Sequence, residues 1–222
     1  MSEANDRTPA TLAVDLARGG HAGTLFLVDR EGLWEHASLD LAGRRNARTL
    51  VPEAAALCER HGMTLADLDL VCVSIGPGSF TGLRVGVTFA KMLAFAAGCD
   101  VIGVPSHLSV RRIVQHVDPP GTRLRVVSDA LRGDVYLTDV TVGPLGEPPI
   151  PEGPRLVSAE EIEEGDDLVR YGENPGGTSD ASTVFNAALE RWRQGVRDDP
   201  FALAPLYVRR SSAEEKADEQ RS

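Results

Sequence analysis

Residues 74–91 read Ser-Ile-Gly-Pro-Gly-Ser-Phe-Thr-Gly-Leu-Arg-Val-Gly-Val-Thr-Phe-Ala-Lys, and the reading of this stretch decides the fold. Just upstream, Leu70 to Ile75 is a short apolar run rich in β-branched residues, the pattern of a buried strand. Downstream, Ser79 to Ala97 keeps a helical period until Gly98, a C-terminal stop. Gly76-Pro77-Gly78 then makes the tight strand-to-helix turn, and Ser79 caps the helix with its hydroxyl. Asp100 to Val104 is a second buried strand. Strand, helix and strand at this spacing form a parallel crossover.

The glycines invite three catalytic readings, and each lacks a part. A phosphate-binding loop needs a lysine after its last glycine, and Leu83 follows Gly82. A dinucleotide fingerprint needs its third glycine one residue earlier. A nucleophile elbow needs Gly-x-Ser-x-Gly, which Gly76-Pro77-Gly78-Ser79 does not supply. Bare amides at the turn could still hold an anion weakly. The helix is more informative. Thr81, Arg84, Thr88 and Lys91 share one narrow polar strip and almost everything else is apolar. That apolar arc is roughly twice the ~100° stripe of an ordinary surface helix. Gly82, Gly86, Ala90 and Ala94 recur at i, i+4 as a ridge of small residues, a shape that admits another helix closely. Two occupants fit the groove: a partner chain, or an internal helix such as 46–61.

Around this centre, Thr11–Leu16, Gly23–Arg30 and Gly32–Leu39 read as three strands of an antiparallel meander. A helix is expected over Asn46–His61, starting or bending at Pro52, and another over Ser106–Val117. Two strands fall within Leu124–Val142, a Pro/Gly-rich exposed loop at Gly143–Pro154, and a short acidic helix at Ser158–Glu164. A strand at Leu168–Tyr171 and a helix at Ala181–Gln194 follow, then a charged tail, Ser211–Ser222, expected to fray.

The formal net charge of −10 argues against a phosphate-gripping surface. Three cysteines, an odd number in no CxxC spacing, argue against a disulfide framework. Met1–Ala10 lacks the apolar core of a signal peptide, so a cytoplasmic location is expected. The histidines, 21, 36, 61, 107 and 116, make neither HxxxH nor HExxH, and no metal ligand set or catalytic group is assigned; His107 and His116 read as solvated or capping groups. Asp15 ends the first strand as an active-site carboxylate would, and Gly19-Gly20 follows, but the hydroxyls of a phosphate-wrapping hairpin are missing. Asp129, Arg132 and Asp134 read as turn-fixing residues, and Glu160, Glu161, Glu163 and Glu164 as a solvated face.

Residues 74–91, followed by Val-Ile-Gly-Val-Pro-Ser at 101–106, closely resemble the signature of the TsaB (YeaZ) family. Leu12-Ala13-Val14-Asp15, Asp129-Ala-Leu-Arg-Gly-Asp-Val-Tyr136 and Pro205-Leu-Tyr-Val-Arg-Arg-Ser-Ser-Ala-Glu-Glu-Lys216 match more weakly, in the expected order. The resemblance implies a two-lobed α/β fold, actin-like and related to ribonuclease H (the ASKHA group), with a mixed sheet flanked by helices. Residues 1–105 would form the N-terminal lobe and 106–200 the C-terminal lobe, with 201–222 returning towards the first. It implies a non-catalytic scaffold in making N6-threonylcarbamoyladenosine at position 37 of ANN-decoding tRNAs. Its partners would be a TsaD-type catalytic subunit and a TsaE-type ATPase, which would carry the metal and ATP, leaving this chain without a cofactor. The family pairs through its two N-lobe helices, here at Leu50, Ala54 and Leu57, and at Gly82, Leu83, Gly86, Val87, Ala90 and Ala94. The same helices could close a homodimer. This chain departs from the family at Asp15-Leu16-Ala17, where Asp-Thr-Ser is usual, and at Asn46-Ala47, where His-Ser is usual. The competing function is a stand-alone glycoprotease-like hydrolase or actin-fold phosphotransferase.

Overall fold

The computed structural model describes residues 8–18, 22–40, 47–110, 117–130, 132–144, 147, 149–171 and 180–208. Five strands form the first sheet: β1 (Thr11–Asp15), β2 (Ala22–Val28), β3 (Trp34–Asp40), β4 (Leu70–Gly76) and β5 (Asp100–Pro105). They lie in the order β3-β2-β1-β4-β5. The meander β1-β2-β3 is antiparallel, and β4 and β5 join β1 in parallel. The mixed sheet follows from connection length: short turns allow hairpins, whereas the parallel strands need the helical crossover.

Both faces of this sheet are covered, and side-chain alternation divides them. Leu12, Val14, Leu25, Leu27, Val71 and Val73 meet helices α1 (Ala47–Arg60) and α2 (Phe80–Ala97). Ala13, Phe26, Val28, Leu70, Cys72, Ile102 and Val104 meet helix α3 (Ala181–Arg193). Asp180 caps α3, its carboxylate accepting from the Ser182 and Thr183 amides. A helix that the sequence reading grouped with residues 106–200 is therefore packed on the first sheet. Its apolar stripe, Ala181, Val184, Phe185 and Ala188, finds there the one face that α1 and α2 leave uncovered.

The second sheet runs β8-β7-β6-β9, with β6 (Arg123–Asp129), β7 (Asp134–Thr141), β8 (Ile150–Ser158) and β9 (Leu168–Arg170). The β6, β7 and β8 pairs are antiparallel, and β9 is parallel to β6. Two sequence expectations are corrected here. Part of the predicted loop at 143–154 is β8, an edge strand, where Pro151 and Pro154 cost no ladder partner. The predicted helix at 158–164 is a single 3-10 turn, Ala159–Glu161. Of the helix expected over 106–117, Ser106–Ser109 is a 3-10 turn and 111–116 lie outside the described residues. Gly19, Gly20, His21, Asn46, His116 and the tail 209–222 lie outside them too.

Candidate functional site

The turn after β4 is built from close backbone approach. Ser79 N donates to Ala17 O at 2.7 Å, and Gly82 N donates to Ser79 Oγ at 3.3 Å. A Cβ on Gly82 would lie 1.9 Å from Leu16 O, and one on Gly78 would lie 2.3 Å from Ala17 O. The glycines are there so that the chain leaving β1 can lie against the start of α2. Of the amides at this turn, Ser79 N is taken by Ala17 O and Gly82 N by Ser79 Oγ, so neither is left for the weak anion site suggested by the sequence.

Asp15 is fully buried beside this turn. Its Oδ1 accepts from Ala17 N at 3.0 Å, and both carboxylate oxygens accept from Tyr171 Oη at 3.1 and 3.2 Å. Tyr171 follows β9 and shares an apolar cluster with Ala17 and with Leu83 of α2. The carboxylate at the end of the first strand thus ties the two sheets together. Asp129, Arg132 and Asp134 sit at the β6–β7 turn, where Ala130 N donates to Asp134 O. Glu160, Glu161, Glu163 and Glu164 are exposed.

The ridge of small residues does not face outwards. Ala90 and Ala94 are buried, and Gly86 lies against Val73 and Leu16 of the first sheet and its turn. Leu50, Ala54, Leu57, Leu83 and Val87 are buried as well, in the same cores. Of the nine residues expected to touch a partner, Gly82 alone is not fully buried, and it is pressed against Leu16 O. The partner-facing assignment of these side chains is corrected for that reason: they pack in the chain's own cores, with Leu16 against Gly82 and Gly86 and Val73 against Gly86. A strand surface is flat enough to accept a small-residue ridge as closely as a helix would.

What α2 does present is the polar strip of Thr81, Arg84 and Thr88, with large apolar side chains set among and beside it. Met92 and Phe95 are 67% and 68% exposed, and Phe80 is 42% exposed. Val51 on α1 is exposed too. Phe80–Ala97 is long and apolar enough to cross a membrane, but its buried stripe, packed on β1 and β4, accounts for much of that character. A strap formed by residues 199–207 runs beside α2. Leu203 is buried in the core under the helix, Leu206 N donates to Ile75 O, and Lys91 Nζ donates to Leu203 O at 2.8 Å. The strap adds two exposed rings: Phe201 packs edge-on to Phe95 at 5.5 Å, and Tyr207 lies 5.2 Å from Phe80. Sequence reasoning missed these outward residues because it followed the small ones. Large apolar residues at 80, 92 and 95, on the same strip as the polar Arg84 and Thr88, were the available signal.

No cluster of three His, Cys, Asp or Glu side chains that could hold a metal ion occurs among the described residues. Burial pushes the Cys58 and Cys99 thiols up to about 11 and raises Cys72 as well, so none is poised as a nucleophile. His107, read from sequence as solvated or capping, is buried, and desolvation pulls it down to about 4. His61 Nδ1 lies 3.0 Å from Asp29 at the end of α1. Burial works to raise Asp29, but hydrogen bonds from His61 and from the Leu33 and Glu31 amides outweigh it and hold the carboxyl below its ordinary value.

A family model described as TsaD, tRNA N6-adenosine threonylcarbamoyltransferase, matches residues 40–144. An uncharacterized protein of Mycobacterium tuberculosis is 34% identical over 210 residues, covering 91% of this chain and 92% of that one. The tRNA threonylcarbamoyladenosine biosynthesis protein TsaB of Escherichia coli is 30% identical over 101 residues, 46% of this chain and 43% of its own length. The solved structure of YeaZ from Pseudomonas aeruginosa superposes with a TM-score of 0.70 at 20% identity, covering 90% of this chain and all of that one.

Proposed function

The chain belongs to the TsaB (YeaZ) family of Gcp-like proteins, with its actin-like two-sheet fold, and on that premise we propose that it is the non-catalytic scaffold subunit of the machinery that makes N6-threonylcarbamoyladenosine in tRNA. Its task in this reading is to hold and activate a TsaD-type catalytic subunit, which carries the metal and transfers the threonylcarbamoyl group. A TsaE-type ATPase joins the pair.

One observation carries the docking step: α2 buries one face in its own sheet and still exposes Phe80, Met92 and Phe95 on the other, extended by Phe201 and Tyr207 of the strap. Exposed aromatic and methionine side chains gathered on one surface are the composition of an interface core. In a monomer they gain nothing from being there. Nearby, Asp15 is engaged by Tyr171 and the turn amide of Ser79 by Ala17, which supports a supporting rather than a catalytic role for this lobe.

The test is size exclusion with light scattering of the chain mixed with the TsaD-type protein of the same organism. A one-to-one or higher complex is expected. Met92→Asp and Phe95→Asp, both at exposed positions, should abolish it while leaving the thermal unfolding of the isolated chain unchanged. A wild-type chain that forms no complex, or that hydrolyses ATP or peptide by itself, would overturn the scaffold reading. If the isolated chain elutes as a dimer that the same two substitutions dissociate, a second copy occupies this face when the catalytic subunit is absent.

A further inference from the structure

Arg84 sits at the centre of the exposed face of α2, in an environment that fixes its guanidinium. Its Cζ lies 3.9 Å from the centroid of the Phe80 ring, one helical turn back, and 5.7 Å from that of Tyr207. Its Nε donates to Tyr207 Oη at 2.9 Å. Tyr207 is itself held by the strap, whose preceding residue donates its amide to Ile75 O. The two rings are 5.2 Å apart. With Nε taken and the plane stacked, the Nη1 and Nη2 atoms donate to no side chain among the described residues. An exposed arginine usually samples many rotamers, and ordering it on binding is costly. Here the aromatic pair and the tyrosine hydroxyl have already restricted it.

We infer that Arg84, clamped by Phe80 and Tyr207, is the charged anchor of this docking face and takes a carboxylate of the partner protein through its two free Nη donors. The inference rests on the scaffold reading and deepens it. Three features favour a carboxylate on a protein. The guanidinium fork matches the two oxygens of a carboxylate in a planar bidentate pair. It stacks on the exposed Phe80 and Tyr207 rings, which offer an apolar surround of the kind that makes an interfacial ion pair strong rather than rim-like. The chain as a whole carries −10, and Lys91 Nζ on the same strip is turned to the carbonyls of Phe201 and Leu203, so Arg84 selects one acidic contact rather than a polyanion. The strap becomes part of the recognition surface, because Tyr207 orients the group that α2 supplies.

The experiment is isothermal titration calorimetry of the full chain against the TsaD-type protein, without nucleotide, at low and high salt. Arg84→Gln should raise Kd about tenfold or more, the loss expected of a hot-spot arginine. Arg84→Lys should fail to restore it, since an ammonium lacks the planar fork. Tyr207→Phe, which keeps the ring and removes the acceptor for Nε, should raise Kd by roughly threefold and leave the salt dependence in place. The salt dependence of Kd should shrink in Arg84→Gln. Both positions are exposed, so unchanged unfolding curves are expected and serve as the folding control. Wild-type binding that Arg84→Gln leaves intact overturns the anchor while sparing the scaffold reading, and so does full binding by Arg84→Lys. Absence of any wild-type complex overturns both.

Discussion

Replacing His107 should remove a defined part of the acid sensitivity of this fold. His107 sits in the 3-10 turn after β5, is 6% exposed, and its Nδ1 has no hydrogen-bond partner among the described residues. Burial pulls its pKa from 6.5 down to about 4. Between those values the unfolded chain binds a proton that the folded chain refuses. Stability from this group is therefore complete above 6.5 and is lost as pH falls towards 4. Going from about pH 7.5 to about pH 5, the linkage relation gives a loss of ~2 kcal/mol from this one imidazole. Carboxylates titrate over part of the same range, so the useful quantity is a difference. Urea unfolding at both pH values should show the wild type losing ~2 kcal/mol more than His107→Leu. Equal losses in the two proteins would refute the reasoning. So would an imidazole proton resonance of His107 that titrates near 6.5, since that would mean the ring is hydrated in the folded state.

Other consequences follow from the packing. Gly82→Ala places a Cβ 1.9 Å from Leu16 O, where backbone must move, and thermal unfolding should show a loss of about 2 kcal/mol or more. Tyr171→Phe leaves the buried Asp15 carboxylate without its hydroxyl donor and should cost about 1–3 kcal/mol in denaturant titration. Leu203→Ala empties the site under the strap and should lower stability by about 2–3 kcal/mol, with faster amide exchange at Leu206. Ala90→Arg, at a fully buried position, should yield insoluble or unfolded protein, in contrast to Met92→Asp; a soluble, folded Ala90→Arg variant would mean that the ridge is not sealed against the sheet.

Much of the first sheet was legible in the sequence because local chemistry and tertiary structure agree there. Short turns between alternating runs at 11–39 force a meander, and the Gly-Pro-Gly-Ser turn with Gly98 fixes both ends of α2. The family resemblance was equally legible, since it rests on the run of residues 74–91 and its continuation at 101–106. The second sheet was harder to read, and β8 was hidden by its prolines, which look like a loop until an edge position makes their missing N–H harmless.

The sequence by itself determined that α2 has more apolar surface than one core can absorb. Its polar strip, Thr81, Arg84 and Thr88, also marks the outward side; only the tertiary structure decided which apolar side chains stay exposed with it. Periodicity gives the angles between side chains on a helix but not where the edge of the buried face falls, and that depends on what approaches it. The backbone of Leu16 and Ala17 comes so close that glycines must face it, which turns Gly82, Gly86, Ala90 and Ala94 inward and leaves Phe80, Arg84, Met92 and Phe95 outward. The same is true of Arg84: nothing in a sequence separation of 123 residues places Tyr207 against it, and the clamp exists only because the strap returns along the helix.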